Sequence, residues 1–242
     1  DATIGGLVGG ITPLSSIDIS GNDLFLHRIE TDPINAQTYD ALNNITLTES
    51  RTLNGPIAFT ADSDGSGAGS FILEDGVSLT ASNNNIDITA ADLDLQGSST
   101  LASGNGLITL LATADGGIGL VDGSGQMAIS GDELSRMTSS GGLTLATTGA
   151  GDIRADNVAA TDSQNISGMT TLDAQGTGDV VIEGGASAFN AITLDAAGGT
   201  VQLDTDLSTS GDAVIFATPT TVSSTATVDS AGGDITFADT LT

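Results

Sequence analysis

The stretch ADSDGSGAGS places Asp62 and Asp64 on a glycine-rich loop, groups of a type and spacing that could wrap a hard cation. Calcium is held by carboxylate and carbonyl oxygens, and the loop opens like the Asp-x-Asp-x-Asp-Gly pattern. It lacks the third acid and the distant bidentate Glu, so Asp62 and Asp64 describe a weak Ca2+ site and no other cofactor is expected. A second pair, Asp92 and Asp94 in ADLDLQG, alternates along a strand and so shares its outer face. Two carboxylates on one face could share acid–base work, but alternating outward Asp is also how a β surface stays hydrated, and the second reading is preferred. His27, in FLHRIE, has no second histidine to form a dyad, and the absence of Cys excludes disulfides and thiolate chemistry. GAGDIR from Gly149 and GTGDVV from Gly176 depart from the spacing of calcium-binding glycine repeats and read as turns. No Gly-Lys-Ser/Thr follows any glycine-rich stretch, so no phosphate loop is expected. Asn44-Ile45-Thr46 and Asn165-Ile166-Ser167 match the glycosylation acceptor.

The acids outnumber the bases 31 to 4, giving a net charge of -27. Such a surface repels phosphate backbones and anionic lipid, which argues against nucleic acid and membrane surfaces as partners. It also keeps an edge-rich β protein soluble. No apolar run approaches the roughly 18 residues of a membrane span, so no membrane insertion is expected. No basic-plus-apolar leader opens the sequence, which suggests a mature product or a piece of a longer chain. The 242 residues are 38% hydrophobic with few aromatics, so the core must be built from small aliphatic side chains.

Those side chains recur on a template. LTASNNNIDI from Leu79, LASGNGLITL from Leu101, LDAAGGTVQL from Leu194 and VDSAGGDITF from Val228 share an aliphatic residue, a small residue two later, a turn, then Ile or Val at +7 and an apolar residue at +9. LATTGAGDIRA from Leu145 and LDAQGTGDVVI from Leu172 carry one more turn residue, VDGSGQMAI from Val121 one fewer, and Phe59 begins a copy with a long insertion. From Phe59 to Leu194 the copies step by 20, 22, 20, 24, 27 and 22 residues. Triplets such as Ile86-Asp87-Ile88, Ile108-Thr109-Leu110, Ile192-Thr193-Leu194 and Val201-Gln202-Leu203 alternate with period two, which argues strand and not helix. GDELSRMTSS, around Glu133, is the one stretch that reads as a helical turn.

A unit of about 22 residues with two or three short strands is too small for a closed antiparallel domain. It suits one coil of a parallel β-solenoid, each coil stacked about 4.8 Å from the next. The small residue at +2 fits a tight inward corner. The expected fold is all-β, a parallel β-solenoid of roughly ten coils on the order of 50 Å long over residues 17–242. Residues 1–16 are expected to be an N-terminal glycine-rich apolar strand, a possible donor or assembly segment. An antiparallel β-sandwich array is the rival.

NAITLDAAGGTVQLDTDLSTSGDAVIF and GGDITFADTLT resemble the repeats of filamentous-haemagglutinin-like bacterial exoproteins and related giant adhesins, and the likeness runs from about Ile45 to Phe237. The resemblance implies a right-handed parallel β-helix in an exported, surface-associated protein without enzymatic activity. Parallel β-helices also carry polysaccharide lyases and hydrolases, so a carbohydrate-binding or carbohydrate-degrading protein is the alternative. A structural subunit of an extracellular filament, sheath or adhesin stalk is expected first, since a glycan groove wants exposed aromatics. Surface glycans of a host or neighbouring cell are the further partners considered.

A solenoid ends in unpaired backbone groups above an apolar column unless it is capped, and neither end of this sequence reads as a cap. The two end faces differ, so their contact would be heterologous and would build an open filament. Head-to-tail self-association is therefore expected through Ala2, Ile4, Leu7, Val8, Ile11 and Leu14 at one end and Ile235, Phe237 and Leu241 at the other. The first 13 residues could also be donated as a strand to a neighbour's sheet.

Overall fold

In the computed structural model, residues 2–4, 16–27, 36–113, 115–223 and 225–242 are described, and they form an all-β chain with long parallel sheets. The longest sheet has ten strands, from Ile17–Gly21 through Ile108–Ala112 and Ala191–Ala196 to Ile235–Phe237, and every neighbouring pair is parallel. Ile17, Gln37, Ile57, Ile86, Ile108, Leu143, Thr170, Ile192, Val214 and Ile235 stand opposite one another in successive strands. The register thus repeats every 20, 20, 29, 22, 35, 27, 22, 22 and 21 residues. Insertions change the length of a repeat and leave the pairing intact, because parallel partners need a long crossover whose length is free.

Between visits to the long sheet the chain adds strands to other parallel stacks. A five-stranded stack runs from Ala2–Ile4 to Asp92–Leu95, and a six-stranded one contains Ile118–Val121, Ile153–Asp156, Val180–Glu183 and Val201–Leu203. Smaller stacks of four and three strands contain Ser78–Thr80 and Thr100–Gly104, and Ser187–Phe189 and Leu207–Thr209. Alternate residues of all of them feed one continuous core of Leu, Ile, Val and Ala. Its few rings stack along the repeats, Tyr39 on Phe59 at 5.2 Å and Phe216 on Phe237 at 4.5 Å between centroids.

Ile86, Ile88, Ile108, Leu110, Leu194, Val201 and Leu203 are buried as expected. So are the small residues two positions into the template, Ala81, Ser103, Thr147, Ala174 and Ala196. Ile235 and Phe237 depart from the inward expectation: Ile235 is 43% exposed and Phe237 half-buried. Among the described residues their strand is paired only with Val214–Phe216, which leaves its other side uncovered.

The template also proves to mark more than one corner. The copies from Leu79 and Leu101 lead from the four-stranded stack into the long sheet, whereas those from Leu145, Leu172 and Leu194 lead out of the long sheet into the six-stranded stack. Any tight bend between two buried strands needs an apolar residue, a small one, a turn and another apolar residue, so the same wording recurs at both. The copy from Val121 is a different object: Val121 has φ 60, and the chain returns to lay Met127–Ile129 parallel beside Ile118–Leu120.

The expected helical turn is Gly131–Ser135, started by a capping box in which Ser130 and Glu133 satisfy each other's backbone N–H. A second turn, Ala160–Ser163, was not legible; it packs on the first one, and Asp162 accepts from the Ala159 N–H at 2.9 Å. No helix among the described residues is long and apolar enough to cross a membrane.

Candidate functional site

Asp62, two residues beyond the strand Ile57–Thr60, is in the left-handed region, φ 61, and is 1% exposed. Its Oδ1 accepts from Ser66 Oγ at 2.7 Å and Gly67 N at 3.1 Å, and its Oδ2 from Gly67 N at 3.0 Å and from Thr113 Oγ1. The loop closes against Gly69, where a Cβ would fall 2.4 Å from both Asn43 O and Asp62 N. Burial pushes the Asp62 carboxyl upward, but the donors from Thr113, Ser66, Gly67 and Ala68 outweigh it and hold the group below the usual carboxylate range. Asp64 points into solvent and accepts from Ser66 N at 3.1 Å. The two acids named as a weak calcium pair are thus divided, one turned inward to close the loop and one at the surface. Among the described residues no three His, Cys, Asp or Glu side chains come together as a metal site.

Beside this loop an open cleft of about 360 Å³ is lined by Asp115, Gly117, Ser124, Asp152 and Arg154 among others. Arg154 donates to Asp152 Oδ2 and to Glu183 Oε2, both at 2.9 Å. Partial burial works against its charge, and the two carboxylates overcome that to raise its pKa. Asp115 accepts from Ala150 N at 3.0 Å. The cleft therefore offers hydrogen-bonding groups to a polar ligand, with Arg154 paired to Asp152 and Glu183 and the Asp115 carboxylate bonded to a backbone N–H. Asp92 and Asp94 lie on the outer face as expected, but they are engaged separately: Asp92 accepts from Ala128 N at 3.1 Å and Asp94 from Gln96 Nε2 at 2.8 Å. Burial raises the Asp92 pKa above the ordinary value.

Asp and Asn side chains do something the sequence did not announce. A backbone N–H at a corner, where no ladder carbonyl is in reach, donates to a side-chain oxygen of the preceding repeat. Asn44 N donates to Asp23, Ser70 N to Asn44, Ser98 N to Asp75, Asn105 N to Asn83, Leu107 N to Asn85, Asp179 N to Asp152, Gly185 N to Asp156, Thr200 N to Asp179 and Thr227 N to Asp206, at 2.7–3.2 Å. In each of these the acceptor precedes the donor in the chain. Leu95 N, bonded to Glu133, and Ala196 N, bonded to Thr218, run the other way. The signal available in the sequence was an Asp or Asn about one repeat before a turn.

His27 Nδ1 lies 2.9 Å from Thr48 Oγ1 and 4.0 Å from Glu49. The two glycosylation matches are both bonded to protein, Asn44 Oδ1 to Ser70 N and Asn165 Nδ2 to Ser135 O. Of the assembly residues, Ala2 and Ile4 belong to the strand Ala2–Ile4, which pairs in parallel with Leu24–Leu26 of its own chain. Ile235, Phe237 and Leu241 lie in the last repeat, where Leu241 is 52% exposed. Leu7, Val8, Ile11 and Leu14 lie outside the described residues. No protein-family model matches the chain, and comparison with curated proteins and with solved structures finds no similar one.

Proposed function

We propose that this chain is a right-handed parallel β-solenoid and that it serves as a non-enzymatic structural segment of an exported bacterial filament, sheath or adhesin stalk. The observation that carries the reading is the ten-stranded parallel sheet, whose register survives repeats of 20 to 35 residues. A rod is built from that property, whatever sites its surface carries. The side-chain bonds from one repeat to the next support it too, because they add stiffness along the stacking direction. The bacterial surface as location, and right-handedness, rest on the resemblance to haemagglutinin-like exoproteins.

Assembly follows from the same stacking. The strand Ile235–Phe237 keeps a free edge beside a half-exposed Ile235 and Phe237, and a further repeat would extend the ladder there in the existing register. In this reading the added repeat comes from the opposite end of a second copy, where Ile17–Gly21 is the edge strand of the long sheet and Ala2–Ile4 that of the five-stranded stack, or from a donated N-terminal segment. Electron microscopy and mass measurement of the purified chain test it, alongside a variant lacking residues 1–13. Filaments or head-to-tail oligomers are expected, and monodisperse monomers at high concentration would overturn the assembly. Filaments unchanged by the deletion would remove the strand-donating version alone. A second reading, contact with surface glycans, draws on the polar cleft at Asp115, Asp152 and Arg154. Retention on a glycan array that is lost with Arg154→Ala would favour it.

A further inference from the structure

One face of the molecule carries a strand more than its repeats require. In the long sheet, Ile86–Ala90, Ile108–Ala112 and Leu143–Thr147 follow one another in two steps. On an adjoining face the same repeats take three, because Met127–Ile129 is laid between Asp92–Leu95 and Ile118–Val121 before Ile153–Asp156 follows. Ile118 stands opposite Met127, and the return from Val121 runs against Gly119, where a Cβ would collide with Gly123 O. One step is about 4.8 Å, so this face is longer than the long sheet by about that much over the same repeats. A ladder does not absorb the difference, and on this face it stops. Both flanking strands are described along their whole length, yet Asp92–Leu95 ends the five-stranded stack and Met127–Ile129 begins the six-stranded one.

Side chains span the seam instead. Ala128 N donates to Asp92 Oδ1 at 3.1 Å, Leu95 N donates to Glu133 Oε1 at 3.0 Å, and Arg136 Nη2 donates to Leu95 O. They hold it against charge, since burial raises the Asp92 pKa and so do Glu133 across the seam and Asp94 beside it. The long sheet crosses the same level unbroken, and so does the four-stranded stack, where Leu101 faces Met137 and the register shifts after Ala102. We propose that this seam is a joint, at which the repeats before and after it open against each other as two blocks, with the long sheet as the hinge. A ladder acceptor is fixed by the backbone on both sides of it, whereas a side-chain acceptor must also be held in one rotamer. The seam therefore opens at a lower free energy than the ladders beside it. The stack bends here before any ladder gives way, whatever the chain builds.

The test is amide hydrogen exchange on the full chain under native conditions, corrected for intrinsic rates. The controls are Ile86 N, which donates to Leu107 O at 3.0 Å, and Leu101 N, which donates to Arg136 O at 3.1 Å, because both cross the same level in unbroken ladders. Leu95 and Ala128 should share one opening equilibrium and exchange at least about tenfold faster than these two. Asp92→Ala removes the acceptor of Ala128 alone. If the seam opens as a unit, it should speed Leu95 as well, whose own acceptor is untouched, by roughly tenfold. Arg136→Met, which acts on Leu95, should speed Ala128 in the same way and serves if Asp92→Ala does not fold. Asp94→Ala, in the same strand but bonded to Gln96, should leave both amides within about twofold of wild type. Acceleration confined to Ala128 in Asp92→Ala and to Leu95 in Arg136→Met would overturn the proposal. So would protection at both seam amides equal to that at Ile86 and Leu101.

Discussion

Replacing Asp179 by Ala separates two roles for the acidic surface. If Asp residues only keep the protein hydrated, removing one from a net charge of -27 relieves repulsion and is neutral or mildly stabilising. The structure gives Asp179 a different task. Its Oδ1 accepts from Thr200 N at 2.8 Å and Thr200 Oγ1 at 3.1 Å, and its Oδ2 from Gln202 Nε2 at 2.8 Å, so one carboxylate ties together two repeats. A hydrogen bond to a charged group contributes roughly 1.5–3 kcal/mol when well formed, and bonds sharing one acceptor are not additive. Asp179 is half-buried, which lowers the figure, and about 2 kcal/mol is expected for the set. For a chain of this length that is a fall of about 4–8 °C in Tm. Asp87→Ala is the control, since Asp87 is exposed at mid-strand, and it should stay within about 0.5 kcal/mol. Parallel urea and thermal melts read the difference, and hydrogen exchange at the Thr200 amide locates it. Asp179→Asn, which keeps an acceptor, should recover much of the loss. Equal midpoints for Asp179→Ala and Asp87→Ala, with Thr200 exchange unchanged, would refute the reasoning.

Leu110, wholly buried between Ile88 and Leu145, should cost about 2–5 kcal/mol as Ala, and more as Asp, in urea unfolding. Stability against pH should be bent by groups of opposite sign: burial raises Asp92 and Asp195 above the ordinary value, so their protonation on mild acidification favours the folded chain. Asp62 is held below it, so its contribution is whole above about pH 4 and is lost as pH falls through its folded value. Asp62→Asn should flatten that lower limb and leave the upper one, as read from urea midpoints across the range. Calcium and sodium at matched ionic strength should raise Tm equally, because the Asp62 oxygens already carry donors; a calcium-specific rise that Asp64→Ala removes would contradict this. Asp195→Asn should stabilise the chain at pH 7 and low salt, since burial and the neighbouring Asp173 both disfavour its charge, and the gain should shrink as salt is added.

Alternation made the sheets legible. Ile86-Asp87-Ile88 and Ile108-Thr109-Leu110 can bury their outer residues only as strands, and a small residue before a polar turn can only be a tight corner, as Ala81 and Ser103 are. The repeat length was legible only in part, because bends at different corners obey the same steric rule and so share one wording. The Asp62 loop was read from residue types as a cation loop; its inward turn depends on Thr113, 51 residues away, which no local pattern announces. The burial of Gln37, Tyr39 and Arg51 escaped for the same reason. Each looks like an ordinary surface residue until strand register puts all three inside.

The placement of charge follows from parallel in-register pairing, which sets each residue beside its counterpart one repeat away. Two like charges about 4.8 Å apart repel by about 0.9 kcal/mol even in water. A column of outward Asp along a ten-stranded sheet would accumulate that cost at every step. The outward column of the long sheet instead reads Thr109, Thr144, Thr171 and Thr193 over successive strands, and the stacked pair Asp173–Asp195 is an exception whose strain shows in the raised pKa of Asp195. Many of the acids sit at corners, where Asp75, Asp152, Asp156, Asp179 and Asp206 each meet a backbone N–H of the following repeat. An N–H donor between successive carboxylates offsets their repulsion and satisfies a group the ladder leaves unpaired. A chain with no lysine and a net charge of -27 can therefore stack repeat on repeat, helped by those acids that lie where the backbone presents partial positive charge.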